Sequence, residues 1–282
     1  MSTPDFANAF DTAVDSGLEW LMDNGDGLFS ALNKGLKGML EGVQACLAFP
    51  PFYGVALVMA LIGWRVVSAR FAVLAGLAFM FCHLMGLWPE TVSTLALVLT
   101  ATLLALVVAI PLGVLAGLTP SFDRVVEPCL DLVQTLPPYI YLLPAIALLG
   151  YGSATALLAT FIVALPPAMR LTSLGIRQTP REFIELGDAC GVTGWQMFFK
   201  IRLPFALPSI MAGVNQSLMM AFGMVVIAGI VGSGGLGEAI YGAIRTLDIA
   251  RSINAAIAIV ILTMILDRLA QSAAQCRTGA AQ

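Results

Sequence analysis

Of the 282 residues, 59% are hydrophobic and 11% charged, with a net charge of -3 and a mean hydropathy of +0.91. Soluble domains are nearer about 45–50% apolar and about 25% charged, and each of their helices needs a polar face that this chain lacks the charges to supply. Five scattered cysteines (Cys46, Cys82, Cys129, Cys190, Cys276), none in a CxxC pair, and a single histidine argue against a zinc cluster or a disulfide framework.

The segment 1–50 holds seven acids (Asp5, Asp11, Asp15, Glu19, Asp23, Asp26, Glu41) against Lys34 and Lys37, without the basic start and apolar core of a cleavable signal. Within it Leu28, Leu32, Leu36, Met39, Leu40 and Val43 recur at helical spacing. They predict an amphipathic helix, either lying on the outer membrane surface or packed on a helical bundle.

A membrane span needs about 20 mostly apolar residues to cross about 30 Å of hydrocarbon. Such runs fall at Phe52 to Trp64, Phe71 to Trp88, Thr91 to Leu118, Leu132 to Gly150, Ser153 to Met169, Phe205 to Val231 and Ser252 to Leu266. The first is short, so both six and seven spans are open. Pro111 offers a bend in the third run. Pro137, Pro138 and Pro144 interrupt the fourth, freeing carbonyls that must be satisfied inside protein or in a wet cavity, which places that run in the bundle interior. His83, in the second run, reads as a packed ring rather than a ligand. The fold class is an all-α polytopic membrane protein: an extension 1–50, a transmembrane unit 51–272 and a tail 273–282.

With seven spans, one side holds Arg65, Arg70, Arg124, Arg170, Arg177, Arg181, Lys200, Arg202, Arg268 and Arg277, ten basic residues against the four of the other side (Lys34, Lys37, Arg245, Arg251). The positive-inside rule then puts the N-terminus outside and the C-terminus in the cytoplasm. The longest polar connection, 170–204, falls on the cytoplasmic side. There Thr179-Pro180 precedes a helical stretch with Glu182 and Glu185 in its first turns, acids that favour a helix start. Gly191 and Gly194 interrupt it, and Trp195, Phe198 and Phe199 lead on to Ile201. Helix, glycine turn, helix, proline is the predicted shape, and a loop so structured is built to bind something.

Glu185, Leu186 and Gly187, then Gly191, then Ile201-Arg202-Leu203-Pro204 reproduce a spacing. It resembles the cytoplasmic-loop motif of ATP-binding cassette (ABC) importer permeases: Glu-Ala-Ala, three residues, Gly, nine residues, Ile-x-Leu-Pro. Both alanines are replaced here, by Leu186 and Gly187. The resemblance runs from about Leu87 to Asp267. Stretches such as LDLVQTLPPYIYLLP (Leu130 to Pro144), PPAMRLTSLGIRQTP (Pro166 to Pro180), IMAGVNQSLMMA (Ile210 to Ala221) and VGSGGLG (Val231 to Gly237) are similar to the permeases that import glycine betaine, choline and related osmolytes.

The resemblance implies that the loop (Glu185, Leu186, Gly187, Gly191, Ile201, Leu203, Pro204) is a coupling helix docking in a groove of a separate ATPase subunit. It implies no cofactor on this chain, with ATP and Mg held by that ATPase. A periplasmic or external substrate-binding protein, a second identical copy and membrane lipid are the other implied partners, with no role for nucleic acid, in the bacterial inner (cytoplasmic) membrane. The sequence itself holds no Gly-x-x-x-x-Gly-Lys-Ser/Thr phosphate loop. VGSGGLG follows a span with no βαβ unit around it, so it reads as an external turn or re-entrant corner rather than a dinucleotide fingerprint.

The resemblance implies, as cargo, a small methylated-ammonium solute: choline, glycine betaine or trimethylamine N-oxide. Such a head group is bulky and poorly hydrated, so aromatic faces favour it without a carboxylate. Tyr139, Tyr141, Asn215, Gln216, Met219 and Phe222 are the pathway candidates, with interhelical hydrogen bonding or plain packing as the other role of each. The alternatives are an ion-driven secondary transporter, an ABC permease for another solute such as an amino acid, or an intramembrane enzyme. Proton coupling needs ionisable groups at membrane depth, and none of the seven runs contains Asp, Glu, Lys or Arg.

Overall fold

The computed structural model describes the backbone of residues 3–279 and, within it, the side chains of 8–272. The described residues form helices joined by short turns, with no strand. The chain runs through α1 (Thr3–Ala48), α2 (Phe52–Val66), α3 (Ala69–Leu84), α4 (Trp88–Leu118), α5 (Pro120–Thr135) and, after a 3-10 turn at Pro138–Tyr141, α6 (Leu142–Leu149). Then follow α7 (Ser153–Arg177), α8 (Arg181–Ala189), the single turn α9 (Gly194–Gln196), a π segment (Met197–Arg202) and α10 (Leu203–Ala228). A 3-10 turn (Gly229–Val231) leads to α11 (Gly235–Thr246) and α12 (Ile249–Gly279).

Small residues set the packing of α4, α7 and α10, the centre of the bundle. In hydrocarbon, helices associate through close van der Waals contact, which Ala and Gly permit. Gly113 of α4 faces Met169 and Thr172, and Gly117 faces Ser173 and Ile176, so α4 and α7 run parallel. Gly175 faces Ala206 and Ser209, and Gly213 faces Ala168 and Leu171, so α10 runs antiparallel to both. The ends of α4 and α7, the loop 178–202 and the start of α10 therefore share one end of the bundle. Leu236 N–H donates to Thr94 Oγ1 at 2.8 Å, which puts the start of α11 at the opposite end. Asn33 Nδ2 donates to Leu149 O at 2.5 Å, which holds α1 at that same opposite end.

Four helices are long and apolar enough to cross a membrane unbroken: α4, α7, the continuous stretch Gly194–Val231, and α12 from Ile249 to Ser272. Three of the expected runs differ. The run Leu132 to Gly150 is not one unbroken helix: Pro137 and Pro138 turn the chain, and α5 meets the following helix at 104°. The reason is local. Proline supplies no N–H and disfavours helix at the residue before it, here Leu136, which is extended (φ -72, ψ 139). The run Phe52 to Trp64 is the 15-residue α2, bent 92° from α1 at Pro50-Pro51. The run Phe71 to Trp88 ends as helix at Leu84, Gly86 turning the chain with φ +68 and Trp88 opening α4. Pro111 sits inside α4 without ending it.

The N-terminal helix is longer than its apolar stripe suggests and packs on the bundle. Leu40 is buried, and Leu36, Val43 and Leu47 pack against the core, while Leu28, Leu32 and Met39 stay exposed. The docked face is thus rotated from the one that apolar spacing picks out. His83 stacks on Phe52, ring centroids 3.9 Å apart, beside Trp88. That cluster ties the start of α2 and the end of α3 to the start of α4, so the hairpin tip with Arg65 and Arg70 points toward the loop end. The expected tail 273–282 begins inside α12, and its last three residues lie outside the described ones.

Candidate functional site

The loop between α7 and α10 is built by short-range rules. Helix α8 ends in a left-handed glycine: Gly191 has φ +67, its N–H donates to Asp188 O at 3.0 Å, and Val192 N–H donates to Gly187 O at 3.1 Å. This pair of bonds satisfies carbonyls that a helix end leaves open. Two residues later Thr193 and Gln196 form a reciprocal cap, Gln196 N–H to Thr193 Oγ1 at 3.4 Å and Thr193 N–H to Gln196 Oε1 at 3.0 Å. The helix then widens to a π turn, Leu203 N–H reaching Phe198 O, before continuing as α10. Pro204 has no N–H to give Lys200, and the wider turn absorbs the gap.

Gly187 explains one departure from the family-like motif. It is buried, and a Cβ placed there would lie 2.7 Å from Met197 Cε and 2.8 Å from Ile201 Cδ1. Those two side chains occupy the space, so α8 and the root of α10 are locked together. Ile201 and Leu203 are half-buried, whereas Glu185, Leu186, Gly191 and Pro204 are exposed. Around them Phe183, Trp195 and Phe199 are exposed, Trp195 at 75%, with the Trp195 and Phe199 ring centroids 4.5 Å apart and the rings tilted at 48°. Together they form an exposed aromatic patch on a loop whose backbone is satisfied.

The pathway candidates separate. Gln216 and Met219 are exposed, on a stripe that runs along α10 through Ala212, Gly223 and Val226 to Ile230 in the following 3-10 turn. Their spacing of three or four residues makes one continuous face. It starts near Phe205, beside the loop, and ends at the far end of the bundle. Tyr139 is exposed in the 3-10 turn, which lies against α7 and α10. Asn215 is half-buried, its Oδ1 without a hydrogen bond. Phe222 does not join them: it is 3% exposed and packed in the central core. Tyr141 is half-buried, its hydroxyl donating to Val133 O at 2.6 Å, which braces the broken α5–α6 element.

Two features were not read from the sequence. Asp123 pairs with Arg177 and accepts from Ser173, and Asp131 pairs with Arg170 at 2.6 Å, which ties α5 to α7. The signal was present: Asp123 and Asp131 lie two turns apart, as do Arg170 and Arg177, so each pair shares a face. The second feature is a cleft at the end opposite the loop, lined by Glu90, Gly232, Glu238, Tyr241, Arg245 and Arg251 among others. The glycines of VGSGGLG form its wall, Gly232, Gly234 and Gly235 at φ +71, +75 and +79, so the expected corner is present.

Residues 109–275 match the family described as "Binding-protein-dependent transport system inner membrane component". The chain is 38% identical over 259 residues to the glycine betaine transport system permease protein OpuAB of Bacillus subtilis (strain 168), covering 92% of each. It is likewise 38% identical over 262 residues to the glycine betaine/proline betaine transport system permease protein ProW of Escherichia coli (strain K12), covering 93% of this chain and 74% of that one. Among solved structures, a chain of the inward-facing MetNI methionine ABC transporter superposes with a TM-score of 0.59 at 24% identity, covering 70% of this chain and 96% of that one. The bundle shares that fold.

Proposed function

The chain belongs to the binding-protein-dependent transport system inner membrane components, as a permease subunit of an ABC importer, and on that premise we propose that it imports a methylated-ammonium osmolyte, glycine betaine foremost. Choline and trimethylamine N-oxide fall in the same chemical class. The relatives support the cargo by what they are named for. The observation that carries the mode of action is the loop: a satisfied backbone, an exposed aromatic face, and a helix root locked to α10 through Gly187.

In this reading ATP and Mg belong to the partner ATPase, whose groove takes Trp195, Phe199, Leu186 and Phe183. A shift of the loop passes through the π segment into α10 without a hinge. The exposed stripe of Gln216 and Met219 then faces a second copy and, between the two, the solute. The seven runs hold no fixed charge, so neither end of a zwitterion meets a deep well in transit.

The test is uptake of labelled glycine betaine by the complex reconstituted in vesicles with its own binding protein. Uptake should require internal ATP, survive an ionophore, and be competed by choline and trimethylamine N-oxide. Competition by methionine alone would overturn the cargo. The same reading places the loop in the cytoplasm and α1 outside. In a chain whose only cysteine is either Cys190 or a Ser16→Cys replacement, an impermeant thiol reagent should label position 16 in spheroplasts and leave Cys190 unlabelled. The reverse pattern would invert the topology.

A further inference from the structure

At the end of the bundle away from the loop, α4, α11 and the start of α12 enclose a partly open cleft of about 580 Å³. That is within the range of small-molecule sites, roughly 300–1,000 Å³. A neighbouring cleft of about 360 Å³ shares Glu90 and Arg251 with it. Ile230 lines the first cleft and also ends the exposed stripe of α10, so the cleft opens onto the face assigned above to the solute.

The charged groups there are not equivalent. Glu238 is engaged, its Oε2 accepting from Gly234 N–H at 2.7 Å. Asp248, in the neighbouring cleft, caps α12 by accepting from Arg251 N–H at 3.0 Å. Glu90 differs: its Oε2 is shielded from solvent and accepts no hydrogen bond. No protein donor answers that oxygen, and Glu90, half-buried, lines the cleft without an ion-pair partner among the described residues. Arg245 lies over the Tyr241 ring, 6.0 Å from its centroid, and neither it nor Arg251 forms an ion pair among the described residues. Glu90 and two arginines thus border one cavity without pairing.

A solute carrying both charges fits that separation. We propose that this cleft is an entry site for a zwitterionic betaine, its methylated ammonium against Glu90 and its carboxylate against Arg251 and Arg245. The assignment rests on the cargo reading above. Its walls suit the head group: Ile230 and Ala239 offer apolar contact, and the glycines leave backbone where side chains would fill the space. Guanidinium binds carboxylate by a planar fork, so the arginines read the acid end. Choline has no such end and engages the Glu90 half alone. The site separates betaines from choline after release from the binding protein.

The experiment measures equilibrium binding of labelled glycine betaine and labelled choline to the purified permease–ATPase complex without binding protein. Arg251→Gln should weaken betaine binding by about tenfold or more, the scale of one lost hydrogen bond to a charged group, and leave choline within about twofold. Glu90→Gln should weaken both, and Glu90→Asp should restore both in part. Each variant is first shown to assemble by size-exclusion chromatography, and Arg251, being exposed, tolerates replacement. Uptake by the unaltered complex with its binding protein reports on the cargo reading separately. If that uptake occurs while the complex binds no betaine saturably, or while Arg251→Gln and Glu90→Gln bind as the unaltered complex does, the entry site is overturned and the importer is not.

Discussion

Gly237→Ala is expected to abolish accumulation of the folded permease, although it adds one methyl group. A Cβ at Gly237 would fall on the Val225 carbonyl, and one at Gly229 would fall on the Gly237 carbonyl. The end of α10 and the start of α11 therefore pack backbone on backbone, and no side chain can rotate away to make room. Relief requires the two helices to part, which also pulls Leu236 N–H from Thr94. The cost should exceed about 4 kcal/mol, the exceptional range for a point change, against a total of about 5–15 kcal/mol. Gly242→Ala, on the same helix with open space around its Cβ, is the control. The measurement is the monodisperse fraction after detergent extraction, followed against temperature. A Gly237→Ala chain melting with the control would refute the close-packed corner.

Trp195→Ala combined with Phe199→Ala is expected to sever ATP from transport while leaving the bundle intact. The two rings pack against each other at the surface and are not core residues of the permease. The Thr193–Gln196 cap, the Gly191 turn and the Gly187 contact remain, so the loop keeps its shape. Buried aromatic anchors of an interface cost about 2 kcal/mol or more each on truncation, and about 2 kcal/mol is roughly 30-fold in affinity. The ATPase subunit should co-purify poorly, and ATP-dependent uptake should fall at least tenfold, with the binding protein's affinity for solute unchanged. Normal co-purification and uptake would show that the aromatic face is not the coupling surface.

What was legible in the sequence was local. The apolar runs of α4, α7, α10 and α12 announced themselves because a span must satisfy its backbone within itself and meet lipid with apolar side chains. The shape of the loop between α7 and α10 was legible for a similar reason. Left-handed Gly191 and the π turn ahead of Pro204 act over three to five residues, and their spacing is visible in the chain. The glycine corner of VGSGGLG was readable on the same terms.

The rest depended on distant partners. The proline break at Pro137 could be foreseen, but not that the two helices would meet there at 104°, because proline removes a bond without setting a direction. The apolar stripe of α1 offered more than one face, and the bundle chose Leu36, Leu40, Val43 and Leu47 by what α4, α6 and α7 presented. Phe222 and Met219 lie one turn apart on α10, yet one is core and the other exposed, since burial depends on which neighbour covers each side of the helix. The cleft is the extreme case. Glu90 and Arg251 are 161 positions apart and meet only because α10 returns the chain to the end where α4 begins, and α11 then holds it there. Charge and hydropathy fix which segments enter the membrane, whereas the close approach of Gly113, Gly175, Gly213 and Gly237 to their neighbours fixes which side chains end up facing one another.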